Sequence, residues 1–289
     1  MNRNLIERLG NSRTTRMTTM SSEQDAWLDR EWRSSSGAAD EAIARQGLIL
    51  ASVVGSTVHG LAVRDGVEDY DVMGIACEPP SCLLGLDHFH QWTARTQPDG
   101  ARSADGDVDL VIYSLRKWAR LALAGNPTVL LPLFSPTVLF TTPLGKDLRE
   151  MADAFASRMA GKRFLGYARA QRERLAGQRG QLRVHRQELV EAYGFDTKFA
   201  GHLLRLAHQG VEYLETGRLS LPVPDPLRSH LLDVRLGRVP LPDVLAEASE
   251  VEADLVALLD TSPLPSFPDA KRVNAFLVSA YRSAWDWWP

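Results

Sequence analysis

Two aspartates at the start of an apolar run have the residue types and spacing of a divalent-cation site. Asp69 and Asp71 flank Tyr70, and the apolar run continues to Ala76. Side chains alternate along a strand, so the two carboxylates share one face, where they repel each other unless a cation lies between them. Hard oxygen ligands suit Mg²⁺, which completes its coordination shell with water and substrate phosphate oxygens. The pair therefore predicts a Mg²⁺ site that acts on phosphates.

A glycine and a serine end the apolar run that precedes these aspartates, at Gly55 and Ser56. A glycine allows the backbone to approach a phosphate closely, while backbone N–H groups and the Ser56 hydroxyl donate hydrogen bonds to its oxygens. We therefore predict that Gly55 and Ser56 bind the phosphates of a nucleotide. With the carboxylates they would hold a triphosphate over two Mg²⁺ ions, for which Mn²⁺ could substitute. One ion activates the incoming hydroxyl and the other stabilises the leaving pyrophosphate.

The segment DGDVDLVIY offers a third carboxylate. Asp107 and Asp109 share a face by the same alternation. Asp109 lies within the apolar run, so its backbone position is the better fixed, and we favour it while Asp107 stays open. The predicted catalytic and metal-binding residues are thus Asp69, Asp71 and Asp109. Asp109 could also accept the proton of the attacking hydroxyl.

The elements that must position these residues are short strands mixed with helices. Apolar runs bounded by polar, glycine or proline residues predict strands over residues 47–54, 70–76 and 108–113. Ser114 suits the N-cap of a helix that ends near Gly125. Short apolar segments follow at residues 129–134 and 138–141. This mixture indicates an α+β or mixed α/β domain.

After Pro143 the pattern changes to helices separated by proline-rich turns. Helices are predicted over residues 148–186, 198–216, 243–259 and 269–288. We therefore predict three parts along the chain: a flexible N-terminal arm over residues 1–24, a catalytic domain over residues 25–145 and an all-helical domain over residues 146–289. The catalytic domain is expected to open with a helix over residues 25–47.

The composition excludes several classes of protein. Of the 289 residues, 44% are hydrophobic and 24% are charged, as in soluble globular proteins, and the net charge of −3 gives no global basic field for nucleic acid. Cys77 and Cys82 are the only cysteines, which is too few for a disulfide framework and leaves a zinc site without ligands. No signal peptide and no membrane-spanning apolar run is recognisable. We expect a cytoplasmic protein with no membrane partner.

These motifs resemble the DNA polymerase β nucleotidyltransferase superfamily, in which a Gly-Ser turn precedes Asp-x-Asp on a strand and a later strand carries a third aspartate. More narrowly, the chain resembles the RNA-ligase-associated (RlaP-like) nucleotidyltransferase family, and the similarity covers about residues 45–285. Five stretches carry it, in order: GSTVHGL at 55–61, EDYDVMGI at 68–75, YSLRKWARLALAGNPTVLL at 113–131, AYGFDTKFAGHLLRLAHQG at 192–210 and TGRLSLP at 216–222.

The resemblance implies an α+β fold, with a polymerase-β-like catalytic domain built on a mixed sheet and followed by an all-helical domain. It implies transfer of a nucleoside monophosphate from a triphosphate, with an associational link to RNA repair. One residue departs from the family pattern. The family tends to carry a glutamate shortly after Asn-Pro, where this chain has Leu131. The role of that glutamate, in bracing the sheet or the acceptor, is therefore in question here.

A basic stripe is predicted on the helix that begins near residue 198. Lys198, His202 and Arg205 follow i, i+4, i+7 spacing, which places them within about 60° of one another around a helix. Such a stripe either faces solvent or binds a triphosphate or an RNA backbone, and the spacing favours neither. The family resemblance raises the nucleotide-binding reading for Lys198. Asp196 is the expected N-cap of this helix.

The leading hypothesis is transfer of a nucleoside monophosphate from ATP or another nucleoside triphosphate to a hydroxyl, with release of pyrophosphate. The acceptor is open among an RNA end, a small molecule and a protein side chain, and the oligomeric state is also open. Two other classes stay open. One is a catalytically silent nucleotide- or RNA-binding module that uses the same pocket. The other is an antitoxin-like partner that binds or modifies a toxin.

Overall fold

The computed structural model describes residues 32–34, 36–63, 70–98, 106–176 and 186–288. The predicted arm over residues 1–24 and the predicted metal ligand Asp69 lie outside these residues. The chain divides into two compact units that interleave along the sequence. The first comprises the described part of Met1–Arg120 with Leu131–Met151 and Lys271–Pro289, and the second comprises Leu121–Leu130 and Ala152–Ala270. The predicted domain boundary after residue 145 stays a prediction.

One mixed sheet organises the first unit. Its strands in the described residues are β1 (Arg33–Ser34), β2 (Leu48–Val54), β3 (Tyr70–Ala76), β4 (Gln91–Arg95), β5 (Val108–Ser114) and β6 (Val138–Thr141). They lie in the order β1-β4-β5-β3-β2-β6. The β3–β5 pair is parallel and the other neighbouring pairs are antiparallel. The predicted α+β class with a mixed sheet is confirmed.

Helices connect these strands. In chain order they are α1 (Ala38–Gln46), α2 (Gly55–Val58), α3 (Pro80–Leu84), α4 (Leu115–Leu123), α5 (Leu131–Phe134) and α6 (Pro143–Glu150). Ser114 caps α4 as predicted, since its Oγ accepts a hydrogen bond of 3.1 Å from the Lys117 N–H. In the part of the chain that the structure describes, none of the helices qualifies as a membrane-spanning segment.

The predicted helix over residues 25–47 is wrong in its described part before Ala38. Arg33 and Ser34 instead form an edge strand that pairs with Arg95 and Ala94 of β4. The Ser34 hydroxyl also donates to the Thr93 carbonyl oxygen at 2.7 Å. A strand partner more than fifty residues away satisfies this backbone, and a local pattern does not reveal such a partner.

Burial explains which strands are central. Every residue of β2 is buried, as are six of the seven residues of β3, with Asp71 half-buried. β5 alternates instead, with Val108, Leu110 and Ile112 buried and Asp109 exposed. The exposed side chains of β5 therefore point away from the core, and Asp109 is among them.

The second unit is helical in its described residues. Its elements are a 3₁₀ turn (Ala152–Phe155), α7 (Arg158–Leu175), α8 (Gln187–Tyr193), α9 (Thr197–Thr216), α10 (Leu227–Arg235) and α11 (Leu241–Thr261). α9 packs against α7, α10 and α11. Small residues allow this close packing: a Cβ atom on Gly161 would lie 2.5 Å from Leu214 Cδ2, and one on Gly210 would lie 2.9 Å from Phe164 Cβ.

The last helix, α12 (Ala270–Ala284), belongs almost wholly to the first unit. Its Tyr281 donates a hydrogen bond of 2.8 Å from Oη to Glu78 Oε2. Glu78 follows β3 and is 3% exposed. The C-terminal helix thus provides a hydrogen-bond donor for a buried carboxyl group that lies 203 residues earlier in the chain.

The N-cap of α9 provides a test of stability. Asp196 Oδ1 accepts hydrogen bonds from the backbone N–H groups of Lys198 (2.9 Å) and Phe199 (3.1 Å), and Arg186 contacts Oδ2 at 3.1 Å. Asp196→Ala should lower the free energy of unfolding by about 1–2 kcal/mol, since it removes a cap and an ion-pair partner. Urea unfolding followed by circular dichroism measures the loss.

The matched control is Asp254→Ala, which removes an exposed aspartate from α11. It should change the free energy of unfolding by less than about 0.5 kcal/mol. Equal losses in the two variants would contradict the capping role.

Candidate functional site

Two of the predicted metal ligands, Asp71 and Asp109, occupy adjacent positions on neighbouring parallel strands. The Cα of Asp71 in β3 is in register with that of Asp109 in β5. Neighbouring strands lie about 4.8 Å apart, and residues in register point to the same face of the sheet. The structure therefore brings these two carboxylates together, at the amino-terminal ends of the two strands.

Gly55 lies directly against the Asp71 carboxylate. Val54, the last residue of β2, pairs with Asp71 across the antiparallel ladder, and Gly55 follows with a φ of +70°. A Cβ atom on Gly55 would overlap Asp71 Oδ2 and lie 2.6 Å from its Cγ. Glycine is thus required both by the backbone conformation and by the space that the carboxylate fills. Ser56 follows in α2 and is half-buried; the phosphate-binding roles of Gly55 and Ser56 remain predictions.

The hydrogen bonds of the two β5 aspartates distinguish them. Gln97 Nε2 donates to Asp109 Oδ1 at 3.1 Å, and Gln97 is 6% exposed. Asp107 Oδ1 instead accepts a hydrogen bond of 3.1 Å from Thr96 Oγ1, which itself accepts one from the Val108 N–H at 2.9 Å. Asp107 is therefore engaged in closing the turn before β5. The geometry favours Asp109 as the neighbour of Asp71.

Gln97 was not identified from the sequence. It follows β4, a strand that the sequence analysis did not predict, so nothing indicated that its amide would reach a carboxylate on β5. The antiparallel register of β4 with β5 places Arg95 opposite Asp109, and Gln97 lies just beyond it. An amide that donates to one oxygen of Asp109 restricts the rotation of that side chain, so Gln97 is a positioning residue.

The oxygen donors of the two carboxylates suit a divalent cation. Mg²⁺ binds carboxylate oxygens, and the protein usually supplies only a few of its ligands. The positions agree as well, because adjacent residues in register can direct two oxygens at one ion. Within the residues that the structure describes, no group of three or more His, Cys, Asp or Glu side chains could hold a metal ion. The third predicted ligand, Asp69, lies outside them.

The predicted basic stripe is present on α9 in the second unit. Burial and then the charges of Arg205 and Arg235 lower the pKa of His202 to about 2, so its imidazole is neutral. Burial, followed by the charge of Arg235, lowers the pKa of Arg205 to about 10. Arg205 donates to Gln209 Oε1, a neutral acceptor, at 2.7 Å. Lys198 also contributes to the positive field on His202.

The basic stripe of Lys198, His202 and Arg205, together with Arg235 of α10, is called the basic cluster below. Gly201 leaves room for this cluster because it has no side chain. A Cβ atom there would lie 2.6 Å from Arg235 Cδ, so the glycine allows α10 to bring Arg235 against α9. The sequence analysis did not include Arg235, because it lies on another helix. Several cations that face one another raise the local positive potential, and an anion with several oxygens is the complementary ligand.

Two further positions have structural roles. Asn126 Oδ1 accepts a hydrogen bond from the Thr128 N–H at 3.0 Å, and its Nδ2 donates to Tyr167 Oη at 3.1 Å. Asn126 therefore stabilises the turn between α4 and α5.

Leu131, where the family tends to carry a glutamate, is 4% exposed in α5. A buried apolar side chain thus occupies that position in this chain.

Comparisons with known proteins identify a family whose model covers most of the chain. The family model described as RlaP, RNA repair pathway DNA polymerase beta family, matches residues 24–277, and it confirms the resemblance inferred from the motifs. No curated protein matches. Among solved structures, a nucleotidyltransferase-like protein from Exiguobacterium sibiricum is similar at 13% identity and a TM-score of 0.29, over 86% of this chain and 75% of that one.

Proposed function

Since this chain belongs to the RlaP family of RNA repair pathway DNA polymerase β proteins, we propose that it transfers a nucleoside monophosphate from a nucleoside triphosphate to a hydroxyl acceptor. Pyrophosphate is the leaving group. The observation that carries the proposal is the parallel register of Asp71 with Asp109, with Gly55 against the Asp71 carboxylate. Two carboxylates on one face beside a glycine turn suit a triphosphate whose charge is neutralised by a divalent cation.

In this proposal Asp71 and Asp109, together with Asp69, hold Mg²⁺. When bound, Mg²⁺ polarises the triphosphate and favours ionisation of the attacking hydroxyl. Gln97 keeps the Asp109 carboxylate in one orientation through its hydrogen bond to Oδ1. Asp109 Oδ2 is then the oxygen available to accept the proton of the acceptor hydroxyl. Rate enhancement comes mainly from holding the hydroxyl in line with the α-phosphate.

The basic cluster of the second unit is a phosphate-binding candidate in its own right. We propose that Lys198 and Arg205 donate charge-assisted hydrogen bonds to the phosphate oxygens of an anionic ligand, and that neutral His202 donates one without adding charge. The support is the arrangement of Arg205, which is half-buried, is close enough to Arg235 for the charge of Arg235 to lower its pKa, and has a neutral hydrogen-bond partner.

Arg205→Gln should weaken the binding of ATP by about tenfold or more, since hydrogen bonds to charged groups contribute about 1.5–3 kcal/mol. Isothermal titration calorimetry with ATP and Mg²⁺ measures the dissociation constant. The matched control is Arg218→Gln, which removes an exposed arginine from the same unit. An unchanged dissociation constant in Arg205→Gln would contradict the nucleotide-binding role of the cluster.

An RNA end is the acceptor that we propose, because the family description places it in an RNA repair pathway. The test incubates the protein with each α-³²P-labelled nucleoside triphosphate, Mg²⁺ and, separately, RNA, small-molecule hydroxyl compounds and protein. We expect label on the RNA, and no label when EDTA removes the cation. Tight nucleotide binding without transfer to any acceptor would instead support a silent nucleotide-binding module.

A further inference from the structure

A second group of basic side chains lines a pocket of about 520 Å³ in the first unit. Arg116, Lys117 and Arg120 lie on the first turns of α4, and the pocket is also lined by His88 and His90, which precede β4. Ser114, at the carboxyl end of β5, also lines it. That residue lies about 16 Å along the strand from Asp109, at roughly 3.3 Å per residue. The pocket is therefore separate from the Asp71–Asp109 pair.

The pocket contains one buried carboxyl group, that of Glu78, and it is already engaged. Tyr281 Oη donates to Glu78 Oε2 at 2.8 Å, and the Ser114 side chain forms another hydrogen bond with it. Burial raises the pKa of Glu78 in spite of these hydrogen bonds. Burial disfavours the charged form of Glu78, whereas the nearby charge of Arg116 favours it.

The cations of the pocket form no ion pair at contact distance with a carboxylate of the described residues. Among the described residues, neither Arg116 nor Arg120 forms an ion pair, and both side chains are exposed on one face of α4 at i, i+4 spacing. Lys117 Nζ donates to a neutral acceptor, Gln91 Oε1, at 2.7 Å. The imidazoles of His88 and His90 lie with ring centroids 6.1 Å apart. The pocket lining thus carries three basic side chains against one carboxyl group, that of Glu78, and the two histidines add ring nitrogens.

We propose that this pocket binds the phosphate group of a ligand of up to nucleotide size. Arg116 and Arg120 supply the paired N–H donors that suit phosphate oxygens, and Lys117 supplies a point charge. The volume of about 520 Å³ lies within the range of about 300–1,000 Å³ that small-molecule sites occupy. The phosphate comes from inorganic pyrophosphate, from a free nucleotide or from the end of an RNA strand.

The test titrates the full chain with pyrophosphate, ATP or a short 5′-phosphorylated RNA, each without Mg²⁺, and follows the histidine ring signals by NMR. Single His88→Gln and His90→Gln variants assign those signals. At least one ligand should shift both, and the ligand with the lowest dissociation constant identifies the source of the phosphate. Arg116→Gln with Arg120→Gln should raise that constant at least tenfold. Unmoved signals with all three ligands would overturn the proposal.

The double variant Arg218→Gln with Lys162→Gln is the control, because it removes two exposed basic side chains of the second unit. The dissociation constant of this control variant should stay within about twofold of that of the unmodified protein. An equal loss of affinity in both double variants would show that net charge alone causes the effect, and it would overturn the proposed site. Asp71→Asn should leave this titration unchanged. A chain that binds phosphate here but transfers no nucleotide would therefore contradict the proposed function alone.

Discussion

Asp71→Asn should reduce nucleotidyl transfer by at least about 10³-fold, which corresponds to roughly 4 kcal/mol of transition-state stabilisation. The reason is the position of this carboxylate. It lies in register with Asp109 on one side and against Gly55 on the other, so its charge is one of those that would bind the cation in the proposed site. Asparagine keeps the shape but loses the charge that binds the cation. Single-turnover transfer of α-³²P label to RNA measures the effect.

The control for this prediction uses the aspartates of β5. Asp109→Asn should lose transfer to a similar extent, whereas Asp107→Asn should retain most of it because Asp107 holds the turn through Thr96. Thermal unfolding of each variant separates a folding defect from a catalytic one. If Asp107→Asn were inactive and Asp109→Asn active, with both folded, the assignment of the carboxylate beside Asp71 would be reversed.

Gly55→Ala should both destabilise the chain and abolish most of the transfer. The added Cβ would overlap Asp71 Oδ2, and an alanine would have to adopt a φ near +70°. Left-handed backbone costs a non-glycine residue about 1–2 kcal/mol, and displacement of the carboxylate adds to that cost. We expect a loss of at least about 2 kcal/mol of unfolding free energy, and transfer lower by about 10²-fold or more in the protein that remains folded.

Gly166→Ala is the matched control, since nothing lies within 4 Å of the added Cβ in α7. That substitution should stabilise the helix by about 0.5–1 kcal/mol. Urea unfolding and the label-transfer assay measure both variants. Full activity and stability in Gly55→Ala would show that the carboxylate does not depend on the missing side chain.

Local sequence patterns were sufficient for the elements that carry the carboxylates. A bounded apolar run identified β3. Alternation identified β5 and the face of Asp109, because burial on one side of a strand imposes a period of two. The order of the strands could not be obtained in this way. The pairing of Asp71 with Asp109 depends on β3 and β5 being parallel neighbours, and that pairing is decided by packing between residues distant in sequence.

The sequence analysis missed several residues for the same reason, since their partners are distant in sequence. Gln97 follows β4, a short strand whose pattern was not recognised. Arg235 reaches the basic cluster from another helix, through the space left by Gly201. Arg33 and Ser34 form a strand only because β4 lies beside them. In each case the partner is remote, so composition and periodicity at the residue itself contain little information about it.

The hydrogen bond between Tyr281 and Glu78 can form only late in the synthesis of the chain. Ribosomes add about 5–20 residues per second, and the two residues are 203 positions apart. Roughly 10–40 s therefore pass between synthesis of the glutamate and synthesis of its tyrosine partner. Throughout that interval the nascent sheet lacks this donor, and the first unit acquires its final set of contacts only after the helical unit has been made.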